Sequence, residues 1–402
     1  MEIGKLHVLG NEKGALRPQI DTCGLRGKWD CPERSVVETA GIVAGKQTGY
    51  DWESVYDLRF SAAAAYNSHG ERYQTRCRVR SRQIRMHRYG PAEVLALETV
   101  DLPPVGPNEV RLRMLAAAVN HSDLEIRVGN WPIRRNPPFP YVPGLEVVGE
   151  VVEGRGAGTR AWTMMQGLGG VRAERDGGYA EHVTVSEDAI ATVPSDIDPV
   201  DLAALGLAAI TAYGGLAKIG PLQGKTVVVT GAAGGVGSAA VGLAKAFGAR
   251  VVAIASHNVE GADQTIGART GEELSATLGE HSADGVLDTV AGPLFRPLVK
   301  SLRQGGCLSV VGAVGGSEVT FEVYDLLFGI SLTGYASEEL DGAQLRQITE
   351  VLVQALQSGR LKPPRHTVLP LTEAARAHAM IEKREIQGRV VLVPDHRFAR
   401  FV

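Results

Sequence analysis

The sequence predicts an α/β protein in which a doubly wound parallel sheet follows a strand-rich, barrel-like unit. Three observations predict it. A strand, a glycine-rich turn, a helix and a second strand follow one another over 225–256. Beyond them, strands continue to alternate with helical stretches, the pattern of a parallel sheet with helices on its faces. From about 80 to 200, by contrast, short runs alternate apolar with polar residues between Pro and Gly, as half-buried strands do.

Composition narrows the function classes. At 402 residues the chain is too long for one core, so about two or three domains are expected. The net charge of −3 and the lack of a basic block in the core of the chain argue against nucleic acid as the partner. No apolar run approaching about 20 residues is evident, and the N-terminus lacks a signal pattern. A cytoplasmic protein with no membrane partner is therefore expected. The four cysteines, Cys23, Cys31, Cys77 and Cys307, are irregularly spaced, which predicts free thiols. A local disulfide or metal clip at Cys23 and Cys31 is the alternative.

Residues 1–79 show no sustained period. Their one helix-like piece, 52–66, carries an apolar stripe at Val55, Leu58 and Ala62. It either docks on the body or a partner, or belongs to a mobile extension. Strands are predicted at 93–100, 109–120, 147–152 and 180–185, and helices at 202–205 and 208–216. The run Thr226-Val227-Val228-Val229-Thr230 enters Gly231-Ala232-Ala233-Gly234-Gly235-Val236-Gly237, and an amphipathic helix closes at Gly248. Glycines there let the turn close, let a pyrophosphate approach the main chain and let helix and strand pack closely. A surface turn without a ligand is the competing reading, against which the following strand at 250–256 argues. Later strands are predicted at 285–290, 306–312 and 330–335, and a long amphipathic helix at 340–358. The last strand, 387–394, is not required by the parallel sheet; a chain returning to its first domain would explain it.

The order of these motifs resembles the medium-chain dehydrogenase/reductase superfamily, and within it the zinc-independent quinone oxidoreductase and enoyl reductase branch. The residues that carry the resemblance are Arg88-Tyr89-Gly90-Pro91, Ala118-Val119-Asn120-His121-Ser122-Asp123, Pro143-Gly144-Leu145-Glu146, Gly177-Gly178-Tyr179-Ala180-Glu181, 207–213, the glycine run and Gly388-Arg389-Val390-Val391-Leu392. The resemblance implies a Rossmann domain at 206–356 inserted in a GroES-like, β-barrel-type catalytic domain at 80–205 plus 357–402, with 1–79 as an extension. It also implies a homodimer through strand edges near 312–320 and 331–335.

Zinc alcohol dehydrogenases of the superfamily place Cys where Asn120 stands and His where Leu145 stands, so the resemblance implies no metal site here. It implies instead hydride delivery from NADPH to a quinone, or to the C=C of an α,β-unsaturated carbonyl compound, as small-molecule substrate. Such a site needs donors aimed at the oxygen that gains charge. Asn120 is the expected donor, with Asp123, His121 and Glu125 as further catalytic candidates; Glu125 stands where relatives often carry a tyrosine. His121 beside Asp123 also reads as a solvated turn.

The residues expected at the cofactor are Asn120, Thr211, Ala233, Gly234, Gly235, Val236, Gly237, Ser256, His257, Arg269, Val290, Gly312, Ala313 and Val314. NADPH is favoured because Ala255-Ser256-His257-Asn258 carries no acid to bind ribose hydroxyls. Gly261-Ala262-Asp263 follows so soon that the usual helix after the serine is absent. Two other readings stay open: a member that has lost redox chemistry and serves as a binding or scaffold protein or catalyses a non-redox step, and a zinc alcohol dehydrogenase holding stoichiometric metal.

Overall fold

A computed structural model of the chain describes residues 65–66, 72–73, 79–131, 139–165, 168, 175–268, 270–338, 340–386, 388–398 and 401. The chain divides into two compact units, Met1–Cys77 and Arg78–Val402. In the first, β1 (Ala65–Tyr66) pairs antiparallel with β2 (Arg72–Tyr73). This corrects the helix expected over 52–66 at its described end, where Tyr66 and Tyr73 have the aromatic character that strands favour. Residues 52–64 and Cys23, Cys31 and Cys77 lie outside the described residues. Cys307 is a free thiol.

The second unit opens with a hairpin of β3 (Arg80–Arg85) and β4 (Ala96–Asp101). The strand expected from 93 starts later because a 3-10 turn, Ala92–Val94, follows Pro91. Next come β5 (Glu109–Val119), α1 (His121–Val128), β6 (Glu146–Glu153), β7 (Arg160–Met164), β8 (His182–Ser186), β9 (Ile190–Val193) and α2 (Pro199–Ile219). The middle of the unit holds β10 (Thr226–Thr230), α3 (Gly235–Ala246), β11 (Arg250–Ile254), β12 (Gln264–Ile266), α4 (Gly271–Leu278), β13 (Ala283–Asp288), α5 (Phe295–Lys300), β14 (Leu302–Val310), α6 (Val323–Leu327) and β15 (Ser331–Gly334). The chain ends with α7 (Gly342–Gln357), β16 (His366–Pro370), α8 (Ala374–Glu382), β17 (Arg389–Val393) and α9 (Asp395–Phe398).

Two sheets follow from this order. A six-stranded sheet, β12-β11-β10-β13-β14-β15, is parallel throughout, and its sequence order reverses between β10 and β13. Its central strand Thr226–Thr230 is fully apolar in the middle, as burial on both faces demands. A seven-stranded sheet, β16-β17-β5-β6-β7-β9 with β8 also on β5, takes strands from both ends of the unit. The last strand finds its place there: Val390, Val391 and Leu392 of β17 face Val119, Ala118 and Ala117 of β5. Between β11 and β12, residues 255–263 form no helix.

One element is longer than the sequence suggested. α2 runs 21 residues and is apolar enough to cross a membrane, yet 78% of its most apolar window is buried inside the protein. It packs on strands of both sheets. Gly206, at φ 50° and ψ −153°, breaks it into two helical pieces, a conformation open to glycine.

Candidate active site

Open α/β sheets hold ligands outside the carboxyl ends of the strands, where strand order reverses. Here that place lies between β10 and β13. Residues 231–234 turn the chain from β10 into α3. Gly231 has φ 55°, and a Cβ on it would stand 2.3 Å from Thr289 Oγ1. A Cβ on Gly237 would stand 2.2 Å from the Gly231 carbonyl oxygen, so turn and helix meet as bare backbone. Gly235, Val236 and Gly237 are the first residues of α3, where amides have no preceding helical carbonyl. Free donors and the positive end of the helix dipole make an anion-binding place.

The neighbouring loops are laced to it. The buried Asp288 carboxylate accepts from Thr230 Oγ1 at 2.6 Å and from the amides of Val290 and Ala291 at 3.0 and 3.1 Å. Thr289 Oγ1 donates to the Thr230 carbonyl at 2.9 Å. The loop after β14 lies on this one, since the Gly315 amide donates to the Val290 carbonyl at 2.8 Å. Ala232 reaches the end of β11 through its amide, 3.2 Å from the Ile254 carbonyl.

The seven-stranded sheet brings a different set of groups. β5 ends at Val119, and Asn120 caps α1, whose third residue Asp123 accepts the Asn120 amide at 2.8 Å. The Asn120 carboxamide is held on both sides: Nδ2 donates to Glu146 Oε1 at 3.0 Å, and Oδ1 accepts from Arg389 Nη2 at 2.8 Å. Arg389 Nε donates to the Ala204 carbonyl at 3.2 Å. Its Nη1 is turned to α3, 2.7 Å from where a Cβ on Gly235 would stand. Glu146 also accepts the Leu207 amide at 2.9 Å. Tyr179 OH lies 3.3 Å from Asp123 Oδ2 and 3.3 Å from His378 Nε2.

Burial sets the protonation of this cluster. Loss of solvent pushes the Glu146 carboxyl up to about 7, with Arg389 and the Asn120 hydrogen bond pulling the other way. The Asp123 carboxyl is raised to about 6 for the same reason, against the pull of its Asn120 and Tyr179 hydrogen bonds. Burial drives the His378 imidazole down to about 3, so it is neutral at physiological pH. The Tyr179 phenol is raised well above its ordinary value by burial and then by Asp123.

The expected catalytic residues therefore part into two pairs. Asn120 and Asp123 are buried and bonded inside the protein, and the Asn120 carboxamide gives one Nδ2 hydrogen to Glu146 while its Oδ1 accepts from Arg389. His121 and Glu125 form an outward pair one helical turn apart, with Nε2 3.6 Å from Oε1. Among the expected cofactor residues, Ala233 and Gly234 lie in the turn after β10, Gly235 to Gly237 open α3, and Val290, Gly312, Ala313 and Val314 lie in the loops after β13 and β14. Ser256 and His257 are exposed just beyond β11, with Oγ and Nδ1 3.3 Å apart. Thr211 stands on α2 and returns its hydroxyl to the Leu207 carbonyl at 3.0 Å. Arg269 lies outside the described residues. Glu146, Arg389, Tyr179 and His378 were not singled out from the sequence. The signals were an acid opening an apolar strand and a basic residue leading another, each read as part of a motif rather than as a buried charge.

Comparison with known proteins agrees with this architecture. Residues 106–195 match the alcohol dehydrogenase GroES-like domain, and 260–392 match a model described as zinc-binding dehydrogenase. The chain is 29% identical over 329 residues to the quinone oxidoreductase of Sus scrofa, covering 77% of this chain and 97% of that protein. It is 30% identical over 306 residues to a quinone oxidoreductase-like protein 2 homolog of Nematostella vectensis, covering 72% and 82%. A solved mycobacterial quinone oxidoreductase superposes with a TM-score of 0.68 at 26% identity, over 78% of this chain and 100% of that one. With its parallel nucleotide-binding-type sheet and its GroES-like sheet assembled from both ends of 78–402, the chain is an oxidoreductase that belongs to the medium-chain dehydrogenase/reductase superfamily, in the quinone oxidoreductase-like branch.

Proposed function

We propose that this oxidoreductase uses NADPH to reduce a quinone, or the C=C of an α,β-unsaturated carbonyl compound, without zinc. The observation that carries the reading is the open N-terminus of α3, with Arg389 Nη1 turned to Gly235 beside it. Backbone amides and a guanidinium together suit the diphosphate of a dinucleotide. Ser256 and His257, with no carboxylate in 255–258, favour the 2′-phosphate of NADPH over the bare ribose of NADH. The short return from β11 to β12 leaves that end of the site exposed.

Zinc does not fit the residues present. A catalytic zinc needs three N, O or S ligands and an open position. Leu145 is a buried hydrocarbon, the Asn120 carboxamide is bonded to Glu146 and Arg389, and among the described residues no group of three His, Cys, Asp or Glu side chains is placed to hold a metal ion.

Bound NADPH would supply a hydride. The chain must then stabilise an oxygen gaining negative charge and deliver a proton to it. Asn120 keeps a second Nδ2 hydrogen beyond the one given to Glu146, and Arg389 and Glu146 fix its direction. His121, exposed and paired with Glu125, is the ring of this set that stands open to solvent.

The protein is proposed to work as a homodimer. β15 is an edge strand of the six-stranded sheet, and Val314, Val323, Tyr324 and Leu327 nearby are 67–79% exposed. Sedimentation velocity reads this directly, and a monomer at micromolar concentration would refute it.

Titrating the full chain with NADPH and following nicotinamide fluorescence tests the cofactor reading. Saturable binding, and oxidation of NADPH by a quinone or an enone that a chelator does not abolish, is the expected result. No binding at millimolar NADPH would overturn it, and stoichiometric zinc required for turnover would overturn its metal-free part.

A further inference from the structure

We propose that Glu146 is a positioning residue for the cofactor's diphosphate, and that the buried Glu146 and Asp123 carboxyls take up a proton from solvent as that diphosphate engages Arg389. The inference rests on the cofactor reading above. Its basis is a mismatch of charge: two buried carboxyls meet one guanidinium.

The groups that face the pair come from every element packed against it. α1 contributes Asn120 and Asp123, β6 Glu146, the segment before β8 Tyr179, α2 the Leu207 amide, and β17 Arg389. His378 of α8 lies beyond Tyr179 and is neutral. Among these described residues Arg389 is the sole cation, with Nη2 3.9 Å from Glu146 Oε1. Asp123 Oδ1 is buried with no hydrogen-bond partner, as befits a carboxyl that carries a proton part of the time.

Arg389 serves two neighbours. Nε and Nη2 are fixed by Ala204 and Asn120, and the Asn120 amide is in turn fixed by Glu146. This leaves Nη1 at the start of α3. Glu146 thus aims the guanidinium indirectly, through Asn120. A diphosphate arriving there brings negative charge towards Glu146 and draws on the cation that offsets it. Both changes favour the protonated carboxyl. Burial already holds Glu146 at about 7 and Asp123 at about 6, so a further rise moves protons at neutral pH. Two coupled carboxyls share that uptake, so the count belongs to the pair.

Calorimetric titration of the full chain with NADPH at pH 7.5, in buffers of different ionisation enthalpy, counts the protons. Uptake on the order of half a proton per NADPH is expected in the wild type. Glu146→Gln should still bind NADPH but lose most of that uptake, a readout that a merely structural role would not move. Repeating with NADH removes the proton exchange of the 2′-phosphate itself. If Glu146→Gln does not fold, the wild type alone decides, because uptake requires the NADPH Kd to rise with pH between about 6 and 9. Tight binding with no proton exchanged, or uptake unchanged in a folded Glu146→Gln, would overturn the inference while leaving the cofactor reading intact. No NADPH binding at all would overturn both.

Discussion

On the six-stranded sheet the site is made of backbone and small residues: the turn 231–234, the first amides of α3, and loops tied together by Asp288 and Thr230. On the seven-stranded sheet it is made of buried charge, with Asn120, Asp123, Glu146 and Arg389 bonded to one another. The first surface offers an anion fixed dipoles that do not titrate. The second holds groups whose charge depends on their partners. Backbone donors thus dominate the first side, and carboxyls whose burial raises their titration towards neutrality dominate the second.

Removing the cation should produce the largest effect. Arg389→Ala leaves a buried carboxylate without its counter-ion, a loss of about 3–5 kcal/mol. Sign and window follow from Glu146, whose ordinary value of 4.5 rises to about 7 in the folded protein. Such a group binds its proton more tightly when folded, so its contribution is fully present below about 4.5 and is lost as pH climbs through 7. Denaturant unfolding should therefore show the Arg389→Ala deficit large at pH 8 and smaller at pH 5. A deficit independent of pH would break the contrast between the two sides.

A smaller effect is expected on the side made of backbone. Gly237→Ala puts a Cβ 2.2 Å from the Gly231 carbonyl oxygen and should cost about 1–3 kcal/mol, with NADPH affinity falling tenfold or more. Gly267→Ala is the control, because its Cβ would have nothing nearer than 3.8 Å, and it should change stability by less than about 0.5 kcal/mol. Neither variant should show an altered pH slope. Smallest of all, Ser256→Asp should shift preference from NADPH towards NADH by about tenfold, read as the ratio of the two Kd values.

The same contrast explains what could be read from the sequence. The glycine turn is contiguous, so its residues and the strand and helix around it declare themselves together. The absent helix after Ser256 was legible because Gly261-Ala262-Asp263 follows at once. The return of β17 to β5 was legible from a strand that the parallel sheet did not need. The buried cluster was not legible, because positions 120, 146, 179, 378 and 389 meet only once segments from both ends of the unit have joined one sheet. Asn120 declares itself by the motif around it, while the partners that hold its carboxamide, Glu146 and Arg389, stand in remote stretches of the chain. The full length of α2 is not legible because its Ala, Gly and Thr residues dilute the apolar signal, although its burial is nearly continuous. At 65–66, apolar spacing suggested a helix where cross-strand pairing prevails.

The break at Gly206 carries one more consequence. The second piece of α2 begins at Leu207, whose amide is satisfied by a carboxylate from β6 rather than by any residue of its own helix. A side chain at position 206 would collide with that carboxylate, its Cβ lying 2.4 Å from Oε1. The helix therefore takes its starting point from a strand remote in sequence. An insertion just ahead of Glu146 would uncap it without altering a single helical residue.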